Sequence, residues 1–253
     1  MPADDYDHLA TVYDWIVPEA LTTPAGSVEA FLPYLEGVAP GARVLDCAAG
    51  TGPLAVGLAL RGFDATATDA SGGMVDRIRA LAAEHGADVD ARACRWEDLG
   101  AQGFEPFDVV FCVGNSLAHA PGREARRAAL RAMAGVMRPG ALLVLTSRNF
   151  EQMRAERFGL RVFDHVVVRE GRRGVVIYSW WLGERWEDPH GFDVAVALVG
   201  DGGEVETLGE RLHFWPFRHD ELDDDLQALG LLPEETSYEP DVANYVVTAR
   251  RPR

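Results

Sequence analysis

Cysteine is scarce in this chain: Cys47, Cys94 and Cys112 are the only three among 253 residues, far apart and each in or beside an apolar run. Their spacing matches no zinc pattern and an odd number argues against a disulfide framework, so all three are expected as small buried residues in a reducing compartment. Long apolar runs are missing as well. Nothing approaches the roughly 20 residues that a membrane span needs, and Met1-Pro2-Ala3-Asp4-Asp5 has no basic region ahead of an apolar stretch. No membrane partner and a cytoplasmic location are therefore expected. Positive charge is in deficit: 24 Lys plus Arg stand against 40 Asp plus Glu, a formal net charge of -16. That balance repels phosphates and anionic surfaces and speaks against nucleic acid as a partner. There are no repeats or low-complexity segments, and the short run Asp223-Asp224-Asp225 reads as a solvated helix face.

What is present centres on Val44 to Gly52, Val-Leu-Asp-Cys-Ala-Ala-Gly-Thr-Gly. A short apolar run ends in Asp46, small residues follow, and Leu54 to Arg61 reads as a helix. Small residues at such a turn let the backbone pass close to a ligand. A dinucleotide fingerprint would need G-x-G-x-x-G, but Ala48 holds the first glycine position and no glycine stands three beyond Gly52. NAD is thereby disfavoured. Asp64 to Thr68 reads as a second strand ending in Asp69, where a ribose diol would present its hydroxyls. The acid at Asp46 suits a cofactor with an ammonium group and no phosphate, which is S-adenosylmethionine (SAM).

These residues resemble a known family. Asp46-Cys47-Ala48-Ala49-Gly50-Thr51-Gly52, then Asp69-Ala70-Ser71 with Met74 behind it, is similar to the class I SAM-dependent methyltransferases. The likeness is greatest to the glycine and sarcosine N-methyltransferases, and continues at Gly114-Asn115-Ser116-Leu117-Ala118-His119 and from Arg138-Pro139-Gly140 to Ser147-Arg148-Asn149. It covers roughly Ala42 to Phe150. The resemblance implies that Trp96 borders an adenine and that Asn115 and Arg148 bind the carboxylate of a methyl acceptor. Bland alternatives stand beside each role: Asp46 as a turn-capping acid, Trp96 and Met74 as packed core, Asn115 satisfying its own loop, Arg148 paired to a surface acid.

The chain in order predicts a Rossmann-like α/β fold, a mostly parallel sheet with helices on both faces and an inserted antiparallel β block after the fifth strand. Tyr6 to Ile16 has helical spacing and reads as a leading lid, with Tyr13 the preferred contact and Pro18 and Pro24 closing it. Val28 to Leu35 reads as a helix. Helices at Ser71 to His85, capped by Ser71, and at Arg123 to Met137 alternate with strands at Val89 to Cys94, Phe107 to Val113 and Ala141 to Ser147. Ligands of such sheets sit at the carboxyl ends of the strands. Asp46, Ala48, Gly50, Gly52, Asp69, Ala70, Met74, Arg95, Trp96 and Val113 are accordingly the expected cofactor set, with Tyr13 above them. Beyond Phe150, four extended runs (Leu160 to Arg169, Gly174 to Leu182, Phe192 to Val199, Glu204 to Trp215) are separated by glycine-rich turns at Gly171 to Gly174 and Gly200 to Gly203. A helix from about His219 to Leu229 and a strand from Asn244 to Ala249 then return to the main sheet. The expected organisation is one domain: residues 1–40 as lid, 41–150 as cofactor core, 151–217 as acceptor-facing insertion and 218–253 completing the core.

Methyl transfer from a sulfonium is an in-line displacement that needs positioning rather than a protein nucleophile. His119, unperturbed, titrates near neutrality and is a candidate base for the proton of an amine acceptor. Trp181 and Trp215 are candidate acceptor contacts, since aromatic faces suit a bulky or cationic acceptor. The reading is an N-methyltransferase for the amine of a small carboxylate-bearing molecule. An O- or N-methyltransferase of a larger secondary metabolite and a SAM-binding protein without catalysis are the alternatives; no metal is called for, and a homo-oligomer is left open.

Overall fold

The structure, a computed structural model, describes residues 13, 15–156, 159–169, 171–200 and 202–253. Most of the expected leading lid, residues 6–12 and 14, lies outside the described residues. Tyr13, Trp15 and Ile16 are helical.

A seven-stranded sheet forms from β1 (Arg43–Asp46), β2 (Asp64–Asp69), β3 (Val89–Ala93), β4 (Phe107–Cys112), β5 (Met137–Arg148), β11 (Leu232–Thr236) and β12 (Asn244–Arg250), in the order β11-β12-β5-β4-β1-β2-β3. Neighbours from β3 across to β5 are parallel, and β12 is antiparallel to both β5 and β11. Strand alternation sends neighbouring residues to opposite faces. Leu45 joins the apolar cluster containing Leu130 and Met133 of α4 (Gly122–Val136), whereas Val44 joins Val28 of α1 (Pro24–Glu29) and Leu54 and Leu58 of α2 (Pro53–Leu60). Helices therefore cover both faces, as the alternating sequence pattern predicts. In α4 the buried Arg126, Ala129, Leu130, Met133 and Val136 follow helical spacing, and α3 (Gly72–His85) buries Met74, Val75, Ile78 and Ala82 in the same way. Ser71 does cap α3, its hydroxyl accepting from the Met74 amide at 3.1 Å.

Some boundaries differ for physical reasons. Pro24 opens a helix rather than closing one: its missing N–H costs nothing at the first position, and Thr23 caps the turn by accepting from Gly26. The expected helix from Val28 to Leu35 is divided, ending at Glu29 and resuming as a 3-10 turn at Leu32–Leu35 with Pro33 in its first turn. Strand β11 had no expectation, because Leu-Pro-Glu-Glu-Thr carries one apolar anchor and a proline. It is stable as an edge strand against β12, where proline forfeits no ladder bond that matters. The acidic run near 224 is not wholly solvated. Asp225, on α6 (His219–Ala228), is fully buried and accepts from Arg123 at 2.8 Å, Arg126 at 2.9 Å and Arg127 at 2.7 Å, clamping α6 to α4.

After α5 (Phe150–Glu156) the chain builds a second, antiparallel sheet from β6 (Leu160–Val162), β7 (Val167–Arg169), β8 (Arg172–Trp181), β9 (His190–Val199) and β10 (Val205–Phe214), ordered β10-β9-β8-β6 with β7 also on β8. The first expected run is two short strands, and the turn after it is tighter than anticipated, since Arg169 already pairs with Arg172. The inner face of this sheet (Val176, Trp180, Phe192, Val194, Val196, Phe214) shares one apolar cluster with the α4 side of the main sheet. Trp15 belongs to that cluster; it packs on Gly174, where a Cβ would fall 2.6 Å from its ring. Among the described residues no helix is long and apolar enough to cross a membrane, and Cys47, Cys94 and Cys112 are free and buried as expected.

Candidate active site

Four strand ends converge on one cavity. It is lined by Cys47, Ala48 and Gly50 after β1, by Asp69 and Ala70 after β2 with Met74 behind them, by Cys94, Arg95, Trp96 and Glu97 after β3, and by Gly114, Ser116 and His119 after β4. Ala120, Pro121, Ala125 and Ala129 line the side toward α4, and Tyr13 lines the cavity as well. A Cβ at Gly50 would sit 3.6 Å from the Tyr13 ring and one at Gly114 3.6 Å from its hydroxyl. Tyr13 thus meets the cavity while Trp15, two residues on, meets the second sheet.

Backbone chemistry holds these ends in register. The Asp69 carboxylate accepts from the Gly50 amide with one oxygen and from the Ser71 amide with the other, both at 2.9 Å, so one side chain ties the first two turns together. The Trp96 indole donates to the Cys47 carbonyl at 2.8 Å and fastens the third strand end to the first. Gly52 plays a packing part: with φ at 92° and Ile78 only 2.9 Å from where its Cβ would be, it lets α3 approach the turn, and it does not line the cavity.

Asp46 ends β1 with 1% of its surface exposed, behind the lining residues rather than among them. Burial raises its pKa to about 7, against support from the Ala48 backbone and with added repulsion from Asp69. One of its oxygens, Oδ1, is buried without a hydrogen-bond partner among the described residues. His119 donates from Nδ1 to the His213 carbonyl at 3.1 Å and stacks on Phe214 at 4.5 Å. Burial lowers its pKa to about 4, so the near-neutral titration expected from sequence is lost. A ring that stays neutral, with Nδ1–H committed to a carbonyl, presents Nε2 as an acceptor and is a poor store for a proton. Val113 packs with Val109 and Leu54 on the α2 side and does not line the cavity.

None of the four expected acceptor residues lines the cavity itself. Asn115 is the one non-glycine with positive φ (67°) among the described residues, and its side-chain oxygen accepts from the Arg148 amide at 3.0 Å, stapling the end of β4 to the end of β5. Arg148 runs the other way. Its guanidinium lies 5.0 Å over the Trp180 ring, Nε is buried without a partner, and no acid among the described residues pairs with it. Burial lowers its pKa, partly offset by Tyr178. Strand alternation then separates the tryptophan pair. Trp180 faces inward to Arg148, while Trp181, expected as an acceptor contact, lies on the outer face across Gly191, 39% exposed. Trp215 is held by its amide to the Ala118 carbonyl at 2.7 Å, with its ring toward His213. Lining residues to which the sequence reading gave no role include Ser116 and Glu97. An alternating strand names two faces without saying which is inside.

The family described as a methyltransferase domain matches residues 44–140, which run from β1 into β5. Over that stretch the chain carries a methyltransferase domain, similar to the class I SAM-dependent kind. It is 34% identical over 122 residues to glycine N-methyltransferase of Rattus norvegicus, covering 43% of this chain and 41% of that protein. It is 38% identical over 109 residues to a ubiquinone biosynthesis O-methyltransferase of Xanthomonas axonopodis pv. citri, covering 43% and 44%. The chain thus spans less than half the length of the curated relatives it matches. SAM-bound CalS10, an amino pentose methyltransferase from Micromonospora echinaspora, shares the fold over 96% of both chains with a TM-score of 0.71 at 20% identity.

The residues present fit SAM, the molecule bound in that structure. A nucleoside with a cationic amino-acid tail finds the Asp69 carboxylate in the cavity lining, a buried Asp46 oxygen lacking a donor among the described residues, and a glycine backbone at Gly50 with no side chain in the way. The fold, the cofactor and the methyltransferase assignment thus agree with the reading of the sequence.

Proposed function

We propose that this chain transfers a methyl group from SAM to a small-molecule acceptor, and that the acceptor is an amine bearing a carboxylate. The observation that carries the acceptor is the Arg148 guanidinium, desolvated over Trp180 with its Nε unsatisfied. An unpaired buried cation costs several kcal/mol unless an anion completes it, and the planar fork of arginine matches a carboxylate. We assign Asp69 to the ribose hydroxyls, the turn from Asp46 to Gly52 to the amino-acid tail, and Ala70, Met74, Arg95 and Trp96 to the adenine. When bound, the sulfonium supplies both the methyl group and a neutral thioether leaving group. The chain's own part is to align a lone pair and exclude water, with Tyr13 and the neutral His119 ring lining the cavity where the acceptor would sit. The amine sheds its proton to solvent, because an imidazole with a pKa of about 4 does not hold one at neutral pH.

A second reading has its own support. The inner wall beyond His119 is aromatic, with Phe214 at 4.5 Å from His119, Trp180 at 5.2 Å from Phe214 and Phe192 at 4.7 Å from Trp180. That wall suits an acceptor larger than glycine, a sugar amine or an aromatic metabolite among them, and the fold shared with an amino pentose methyltransferase is in keeping with it. A panel of glycine, sarcosine, larger amino acids, amino sugars, aromatic amines and phenols offered with SAM, read by S-adenosylhomocysteine release, separates the two. Arg148→Ala should raise KM for a carboxylate acceptor by about 100-fold while SAM affinity stays within about twofold. An unchanged KM removes the carboxylate from the proposal. Absence of turnover with every acceptor, despite SAM binding, would point to a non-catalytic binding protein.

A further inference from the structure

The outer face of the second sheet breaks the rule that its inner face obeys. An antiparallel sheet with one side on the core normally turns polar residues outward. Here register places Thr207, Ala197 and Val175 in one outward row and Gly209, Ala195, Ile177 and Val162 in the next. At the margins Leu160, Val205, Val162 and Val168 are 67%, 61%, 55% and 53% exposed, and Ile177 and Val199 join them on the same face. With typical residue areas, the exposed large side chains alone present about 600 Å² of apolar surface, the upper end of what a monomer normally shows and most of the roughly 800 Å² per partner in a stable interface.

We propose that this face packs on the same face of a second copy of the chain, giving a two-fold dimer. Three features commit the occupant. The middle strand offers Ala195 and Ala197 on its outer side, so the centre of the surface is low in relief and two such sheets can stack at the usual separation of about 10 Å. Its charge is compatible with self-docking, which a chain of net charge -16 achieves at few places. Asp193, the single acid on this side of β9, is neutralised within the chain by Arg211 through contacts of 2.5 and 2.9 Å, leaving Arg173 at the margin. The exposed edge strand β10 carries Glu206 and Glu210, which oppose strand addition and favour stacking of faces over pairing of edges. A flat patch meeting its own copy about a two-fold axis closes the assembly at two.

The test is sedimentation velocity of the full chain across micromolar concentrations, with Ala197→Arg and Ala195→Glu each compared to the native chain. The native chain, 27.6 kDa per copy, should sediment at twice that mass. Each variant should weaken dimerisation by at least about 100-fold, because it buries an uncompensated charge, and should keep its far-UV circular dichroism. Leu232→Asp, an exposed apolar residue on the other sheet, should leave the dimer intact. A native chain that stays monomeric, a dimer indifferent to both variants, or one lost only with Leu232→Asp overturns the proposal. Should one variant fail to fold, the other decides.

Discussion

Replacing Asp69 with asparagine tests how the cavity is built and what it holds. The carboxylate accepts two backbone amides, Gly50 and Ser71, each at 2.9 Å. Asparagine offers one oxygen, so one amide would face an NH2 group instead of an acceptor. Loss of one charge-assisted bond and exposure of its donor should cost roughly 1.5–3 kcal/mol of stability. If the carboxylate also holds the ribose diol, SAM affinity should fall by a further factor of about 10–100, since hydrogen bonds to a charged group are worth a similar amount in binding. Calorimetric titration with S-adenosylhomocysteine and its 2′-deoxy analogue, on native chain and variant, makes a double-mutant cycle. The native chain should lose affinity on removal of the hydroxyl and the variant should not. Equal losses in both proteins would show that Asp69 serves the turns alone, and the assignment of the ribose would fail.

Asp225→Ala should lower thermal stability by about 3 kcal/mol, because it strands the buried Arg126 while Arg123 and Arg127 can turn to solvent; a melting temperature within error of native would refute the clamp. In Asp225 itself burial opposes ionisation but the three guanidinia outweigh it and lower the pKa. Its contribution is therefore complete above the unfolded carboxylate value and disappears as pH falls through the folded one. His119 and His190 carry the opposite chemistry: burial lowers both to about 4, so the unfolded chain binds their protons first and stability should drop as pH falls from about 6.5 toward 4, by roughly 2–3 kcal/mol per histidine. His190→Gln should flatten part of that slope in denaturant titrations across the range. Gly52→Ala should cost about 2 kcal/mol and weaken SAM binding, since its φ of 92° and the nearby Ile78 leave no room for a methyl group. Trp180→Leu should raise acceptor KM and leave SAM affinity unchanged, whereas Trp181→Leu should leave both unchanged.

Much of the cavity was legible in the chain because its determinants are local. A strand running into Asp46, a turn of small residues and a helix lie within twenty positions, and the alternation of strands and helices obliges each strand's carboxyl end to meet the same edge of a parallel sheet. That logic brings Asp69 and Trp96 to the turn that begins at Asp46 without any coordinate. It extends to Ser71, whose capping role needs only the residue type and the three that follow. Tertiary structure alone decided the rest, where the outcome depends on what a residue meets rather than on what it is. Alternation in Tyr178 to Trp181 marks two faces, and only packing against the main sheet chose Trp180 for Arg148 and left Trp181 outside. The pKa of His119 follows from Phe214 and the His213 carbonyl, more than ninety residues away. Asp225 looks like its solvated neighbours until α4 supplies three guanidinia. Local pattern sets which elements form; desolvation and register, which belong to the assembled chain, set what their side chains can do.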